Sequence, residues 1–99
     1  MDKIHTEATD RLFEAILNLK NKEECYDFFE DVCTIKELQD LSQRFEVARM
    51  LADGKNYLEI SRVTGASTAT ISRVGKCLNY GSGGYKTALL RVGGKEDKK

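Results

Sequence analysis

Three cysteines and one histidine are the side chains of this 99-residue sequence best suited to nucleophilic, acid–base or metal chemistry. Cys25, Cys33 and Cys77 are odd in number and lack CxxC spacing, which argues against both a disulfide framework and a zinc site. His5 stands alone, close to an N-terminus that is expected to fray. The glycine-rich segment 81–84 lacks the flanking residues of a phosphate-binding loop. The sequence therefore predicts no enzyme, no metal ion and no cofactor.

A different chemistry, the reading of DNA, is indicated by residues 57–74, YLEISRVTGASTATISRV. A helix-turn-helix needs a small residue where its helices cross, a turn residue that tolerates the left-handed region, and apolar residues that lock the helices together. Ser61 and Gly65 meet the first two requirements. The locking residues are Ile60, Val63, Ile71 and Val74. This pattern predicts a helix-turn-helix over about residues 57–78.

The residues predicted to face outward from this motif can contact both bases and phosphates. Short hydroxyls bond base edges or phosphates, methyl groups pack on thymine, and a helix N-terminus favours a phosphate. The candidate DNA contacts are Lys55, Asn56, Arg62, Ser67, Thr68, Ala69, Thr70, Ser72, Arg73 and Lys76. The alternative is an ordinary helical hairpin whose Ser and Thr residues serve solubility.

The zero net charge conceals a polarity along the chain. Residues 1–50 carry seven Lys and Arg against twelve Asp and Glu, a net charge of −5. Residues 51–99 carry nine against four, a net charge of +5, and no acid lies between Ile60 and Lys95. This asymmetry favours a polyanionic partner such as double-stranded DNA, although a solvated basic face would have the same pattern.

The elements that position these residues are predicted to be six helices and no strand, because proline is absent and apolar residues recur at helical spacing. The first helix is predicted over residues 6–19. N-caps are predicted at Asn21, Asn56 and Ser67. A capping box is predicted over residues 34–37, and Gly54 and Gly65 are expected to adopt left-handed conformations.

The composition and length predict one all-α domain of the globular, non-membrane class. Forty per cent of the residues are apolar and 32% are charged, and no run is long and apolar enough to cross a bilayer. The N-terminal residues do not lead into a signal peptide, so a cytoplasmic location is expected. We predict a single helical DNA-binding domain over residues 1–92 and a flexible polar tail over residues 93–99.

Apolar residues on more than one edge of the helices predict either additional contacts within the chain or a homodimer. They include Phe13, Leu17, Phe28, Leu41, Val47 and Leu51. The second helix is expected to turn Cys25, Phe28, Phe29 and Val32 inward, so Cys25 and Cys33 are predicted to be buried thiols. A monomer, in which the second edges pack within one chain, is the alternative.

The stretch from Thr34 to about Val92 resembles the Trp repressor superfamily, and within it the bacterial YerC/YecD (TrpR-like) branch. The motifs that carry the resemblance are LSQRF at residues 41–45, LADG at 51–54 and GASTATISR at 65–73. The resemblance implies an intertwined homodimer of six-helix subunits, whose two reading helices enter successive major grooves of an operator. It also implies that Thr68, Ala69 and Ser72 lie at the groove.

This chain departs from the Trp repressor at positions that contact DNA and ligand. Leu58 and Ser61 stand where the repressor has a base-reading arginine and a lysine, so the operator is expected to differ. Arg44 and Arg73 match the two arginines that sandwich the indole of L-tryptophan in the repressor. Val74 replaces a glycine beside that ligand, and its rigid branched side chain would occupy the space. We therefore expect no L-tryptophan effector, and we expect the two arginines to serve ion pairs, phosphate contacts or another small ligand.

These observations predict a sequence-specific, homodimeric transcriptional regulator that acts as a repressor by occupying a promoter. The helix that starts at Ser67 is expected to read the major groove. The alternative from another class is a protein-interaction module, in which the helix-turn-helix docks onto a partner protein.

Overall fold

The computed structural model of the chain describes the backbone of residues 3–97 and the side chains of residues 3–93. The described backbone contains six helices and no strand. In chain order the helices are α1 (Glu7–Leu17), α2 (Lys22–Val32), α3 (Ile35–Ala52), α4 (Tyr57–Thr64), α5 (Thr68–Tyr80) and α6 (Gly84–Asp97). The all-α, six-helix prediction is confirmed. None of the helices in the described part of the chain is long and apolar enough to cross a membrane.

The chain divides into two compact units, one up to Leu38 and one from Gln39 onward. The first unit holds α1, α2 and the beginning of α3. The second unit holds the remainder of α3 together with α4, α5 and α6, and it contains every predicted DNA contact. That residues 1–92 form a single domain stays a prediction.

The helix starts follow the predicted capping residues, because a side-chain oxygen accepts a backbone N–H that lacks an intrahelical partner. The Asn21 side chain accepts from the Glu24 N–H at 2.9 Å and caps α2. At the start of α3, the Thr34 hydroxyl accepts from the Glu37 N–H at 3.0 Å. The Glu37 carboxylate in turn accepts from the Thr34 N–H at 2.9 Å, which completes the predicted capping box.

The hydrophobic core lies within the second unit and is built around the helix-turn-helix. Its buried members are Val47, Ala48, Met50, Ile60, Ala66, Ile71 and Val74. Helix α4 packs against α5, and α5 packs against α6, while Leu51, Tyr85 and Leu89 cover part of the cluster. The core therefore fixes α4 and α5 on the C-terminal half of α3.

Apolar residues of α1 and α2 stay largely exposed within one chain. Neither helix contains a fully buried residue, and Leu17 is 82% exposed. Cys25 is exposed and Cys33 is half-buried, so the prediction of buried thiols is wrong for Cys25 and only half met by Cys33. The apolar residues on the edges of α1 and α2 are therefore not covered within one chain.

Helix α6 ends at Asp97, five residues beyond Val92, where the sequence predicted its end. Gly93 and Gly94 each weaken a helix by about 1 kcal/mol relative to alanine, but they do not block it as a proline would. The backbone is therefore helical over residues 93–97, and the flexibility predicted for residues 93–99 stays a prediction. Residues 98 and 99 of that predicted tail lie outside the described residues.

Candidate nucleic-acid interface

The turn between α4 and α5 has the geometry that the sequence predicted for a helix-turn-helix. Gly65 adopts a left-handed conformation with φ of 77°, and its N–H donates to the Ser61 carbonyl at 2.8 Å. A side chain at that φ is strained, which explains the glycine. The Ser61 hydroxyl donates to the Ala66 carbonyl at 2.9 Å. Ser61 is therefore small enough for the crossing point and also supplies a bond that fixes the turn.

The two helices of the motif are locked by buried apolar residues, three of which were predicted. Ile60 and Ile71 are fully buried and Val74 is 1% exposed. Val63 was predicted to belong to this set, but it is 55% exposed, and that prediction is wrong. The hydroxyls of Ser61 and Thr64 bond within the turn. The inner side of α4 therefore consists of Ile60, Ser61 and Thr64, and Val63 lies on the outer side of the helix.

The start of α5 is held by a cap that uses two of the predicted DNA-contact residues. The Ser67 hydroxyl accepts from the Thr70 N–H at 3.1 Å, and the two side-chain hydroxyl oxygens lie 3.1 Å apart. Ser67 is exposed and Thr70 is half-buried. Both hydroxyls therefore serve the helix start, and their contact with DNA stays a prediction.

The remaining predicted contacts on α5 share one exposed surface, the outer face. Its members are Thr68, Ala69, Ser72, Arg73 and Lys76, all of which are exposed. At about 100° of rotation per residue, these positions fall on one side of the helix, opposite buried Ile71 and Val74. The outer face thus combines short hydroxyls and a methyl group with two cations.

The predicted contacts on and before α4 are exposed as well. Lys55 and Arg62 are exposed, and the Asn56 side-chain oxygen caps α4 by accepting from the Glu59 N–H at 2.9 Å. Among residues 3–93, no acid forms an ion pair with Arg62, Arg73 or Lys76. Cations without acidic partners and the positive N-terminal end of α5 favour an anionic partner such as a phosphate backbone.

Two further residues that fix the turn were missed by sequence reasoning. The Thr64 hydroxyl donates to the Ile60 carbonyl at 2.7 Å and accepts from the Ala66 N–H at 3.1 Å. The Gln43 side-chain amide, which belongs to α3, donates to the Thr64 carbonyl at 3.1 Å. A threonine directly before the turn glycine is a local signal that could have identified Thr64. No local pattern identifies Gln43, because its partner lies 21 residues away.

Comparison with known proteins assigns the chain to a family. The family described as Trp repressor protein matches residues 7–92. The chain belongs to the Trp repressor family. The uncharacterized protein YerC of Bacillus subtilis is 59% identical over 92 residues, which span 93% of this chain and 88% of YerC. The predicted membership of the YerC branch is therefore confirmed.

Solved structures of Trp repressor relatives share the fold. A TrpR-like protein from Eubacterium eligens is 59% identical and superposes with a TM-score of 0.89, covering 92% of this chain and 94% of that one. A Trp repressor candidate from Staphylococcus aureus is 50% identical with a TM-score of 0.88, covering 92% and 91% of the two chains. This chain is accordingly a helix-turn-helix regulator that binds DNA, and it is not an enzyme.

The two arginines predicted to match the L-tryptophan site of the Trp repressor lie in different surroundings. Arg44 is half-buried and Arg73 is exposed. Val74 stands where the Trp repressor has a glycine beside its ligand. It is 1% exposed and belongs to the core cluster with Ile60 and Ile71. The burial of Val74 is consistent with a core role, and the exclusion of L-tryptophan by this side chain stays a prediction.

Proposed function

We propose that this member of the Trp repressor family is a homodimeric repressor that reads operator DNA with α5. The observation that carries the proposal is the outer face of α5, on which Thr68, Ala69 and Ser72 stand beside Arg73 and Lys76. Hydroxyl and methyl groups can distinguish base edges in the major groove, whereas exposed cations bind phosphates of any sequence. The protein then acts in the bacterial cytoplasm, where its operator is found.

The surroundings of α5 support this mode of binding. Ser67 and Thr68 at the N-terminal end of α5 are exposed, and so is Arg62 on α4. No acid occurs between Ile60 and Lys95 to repel the phosphate backbone. A protein partner for the same face would gain little, because the face lacks the large apolar anchors that dominate protein interfaces.

Selection of bound fragments from a random pool of double-stranded DNA tests the proposal. We expect enrichment of one sequence that contains two half-sites related by two-fold symmetry, with centres about one helical turn apart. Binding should weaken steeply as salt rises, because phosphate contacts release counterions. A variant with Thr68→Glu and Ser72→Glu is the control and should enrich nothing. If the unaltered protein enriches no sequence and instead forms a salt-insensitive complex with a protein, the interaction-module alternative is correct.

The homodimer is proposed from apolar surface that one chain leaves uncovered. Leu17 on α1, Ile35 on α3 and Leu90 on α6 are 82%, 79% and 72% exposed. An open cavity of about 920 Å³, lined in part by Phe45, Leu78 and Leu90, lies in the second unit. Contiguous apolar surface on a soluble protein marks an interaction site, and a second copy of the chain would cover these side chains.

Static light scattering at micromolar concentration measures the oligomeric state directly. The chain has a mass of 11.2 kDa, so the dimer is expected to give about 22 kDa. Circular dichroism on the same sample reports whether the helices are formed. A folded, stable 11.2 kDa monomer would contradict the dimer and the paired half-sites that depend on it.

A further inference from the structure

We propose that Gln43 is a positioning residue that fixes the start of the DNA-reading helix α5 relative to α3. The inference rests on the proposed reading of DNA by α5 and assigns part of its precision to a side chain outside the helix-turn-helix. The carrying observation is the hydrogen bond from the Gln43 side-chain amide to the Thr64 carbonyl, at 3.1 Å across 21 residues of chain.

The Thr64 carbonyl is a group that needs such a partner. Thr64 is the last residue of α4, and the final carbonyls of a helix have no intrahelical N–H to accept from. The residue is half-buried, so water does not freely replace the missing donor. Gln43 is itself half-buried on the C-terminal half of α3, which carries the core residues Val47 and Ala48. The bond therefore ties the turn to the half of α3 that carries core residues.

The other polar groups of the turn are satisfied from within the motif. The Gly65 N–H donates to the Ser61 carbonyl, and the Ala66 N–H donates to the Thr64 hydroxyl at 3.1 Å. The Ala66 carbonyl accepts from the Ser61 hydroxyl. These bonds fix the internal shape of the turn, whereas the bond from Gln43 fixes where the turn sits on α3.

The position of the turn decides the position of the outer face of α5. Ala66 is 2% exposed, and Ser67 and Thr68 follow it directly as the cap and first residue of α5. Contacts to base edges depend on placement to within about half an ångström, whereas long cationic side chains follow a phosphate over a wider range. Loss of the Gln43 bond should therefore weaken binding to the operator more than binding to random DNA.

The test compares Gln43→Glu and Gln43→Ala with the same changes at Gln39. Gln43→Glu keeps the shape but presents an acceptor to the Thr64 carbonyl, and Gln43→Ala removes the donor without adding charge. Gln39 is exposed one helical turn earlier on α3 and its side chain makes no hydrogen bond among the described residues, so it controls for charge and helix propensity. We expect about a tenfold loss of operator affinity for Gln43→Glu relative to Gln39→Glu. The affinities of Gln43→Glu and Gln39→Glu for random DNA of equal length should be the same.

Amide hydrogen exchange supplies a readout that does not depend on DNA. Exchange at the Ala66 N–H should accelerate about tenfold in both Gln43 variants and in neither Gln39 variant. If the unaltered protein binds no DNA, the proposed function fails while this measurement still tests whether Gln43 holds the turn. Unchanged exchange overturns the inference, and so does faster exchange with an unchanged preference for the operator. If Gln43→Glu does not fold, the comparison of Gln43→Ala with Gln39→Ala tests the inference instead.

Discussion

Replacing both Arg62 and Lys76 by alanine is expected to weaken binding to every double-stranded DNA sequence by about thirtyfold at 0.15 M salt. Both side chains are exposed, and neither pairs with an acid among the described residues. Each phosphate contact contributes close to one unit to the slope of log affinity against log salt, which corresponds to about fivefold at this salt concentration. Titration of operator and random duplexes at several salt concentrations measures the loss and the slope.

The matched control for these cations is Lys22→Ala on α2, which removes one positive charge outside the helix-turn-helix. It should leave the slope unchanged, whereas each of Arg62→Ala and Lys76→Ala should flatten it by about one unit. A loss confined to the operator, with random DNA unaffected, would assign the two cations to base recognition instead. An unchanged slope would remove them from the interface.

Unlike Arg62 and Lys76, Thr68 and Ser72 are expected to affect which DNA sequence is bound more than the overall affinity for DNA. Both are exposed on the outer face of α5, and neither takes part in the cap that occupies Ser67 and Thr70. A good base contact contributes about 1–3 kcal/mol of discrimination, so Thr68→Ala and Ser72→Ala should change the selected sequence at the bases they face. An unchanged consensus would require the reading surface to be placed elsewhere.

The helix starts and turns could be predicted because they depend on local chemistry. Asn21, Asn56 and Ser67 each accept a backbone N–H three residues later, as capping residues do. Gly54 and Gly65 have φ of 84° and 77°, as the left-handed positions after a helix require. The positions of buried Ile60, Ile71 and Val74 followed from helical spacing.

The errors of sequence reasoning arose where the outcome depends on distant residues or on neighbouring helices. The spacing of Val63 from Ile60 predicted that it would pack between the two helices. The hydroxyls of Ser61 and Thr64 face the turn instead, and Val63 is exposed. Cys25 lies among aromatic residues, yet α2 has too few neighbours in one chain to bury it. The bond from Gln43 to the turn joins α3 to α4 and has no sequence signal at either end.

A large loss of stability is expected on replacing Val74, the residue that stands where the Trp repressor accommodates its ligand. Val74→Gly should lower the free energy of unfolding by about 3 kcal/mol, because it removes a buried side chain and places a glycine inside α5. Val63→Gly is the matched control, since Val63 is 55% exposed and the change costs mainly the difference in helix propensity between valine and glycine, about 0.5 kcal/mol. Denaturant unfolding followed by circular dichroism measures both. Equal losses in the two variants would mean that Val74 does not pack as a core residue.

The same side chain is the reason to expect that L-tryptophan is not the effector. A ligand ring forced against buried Val74 would overpack the site at a cost of about 1–3 kcal/mol, which weakens a modest ligand about tenfold to a hundredfold. Titration calorimetry should detect no binding below the millimolar range, and DNA affinity should not change on adding the amino acid. The chain contains no tryptophan, so the fluorescence of the ligand is an independent readout. Weak binding that emerges only in Val74→Gly would identify the valine as the barrier, whereas micromolar binding by the unaltered protein would overturn the prediction and make Arg44 and Arg73 a ligand site.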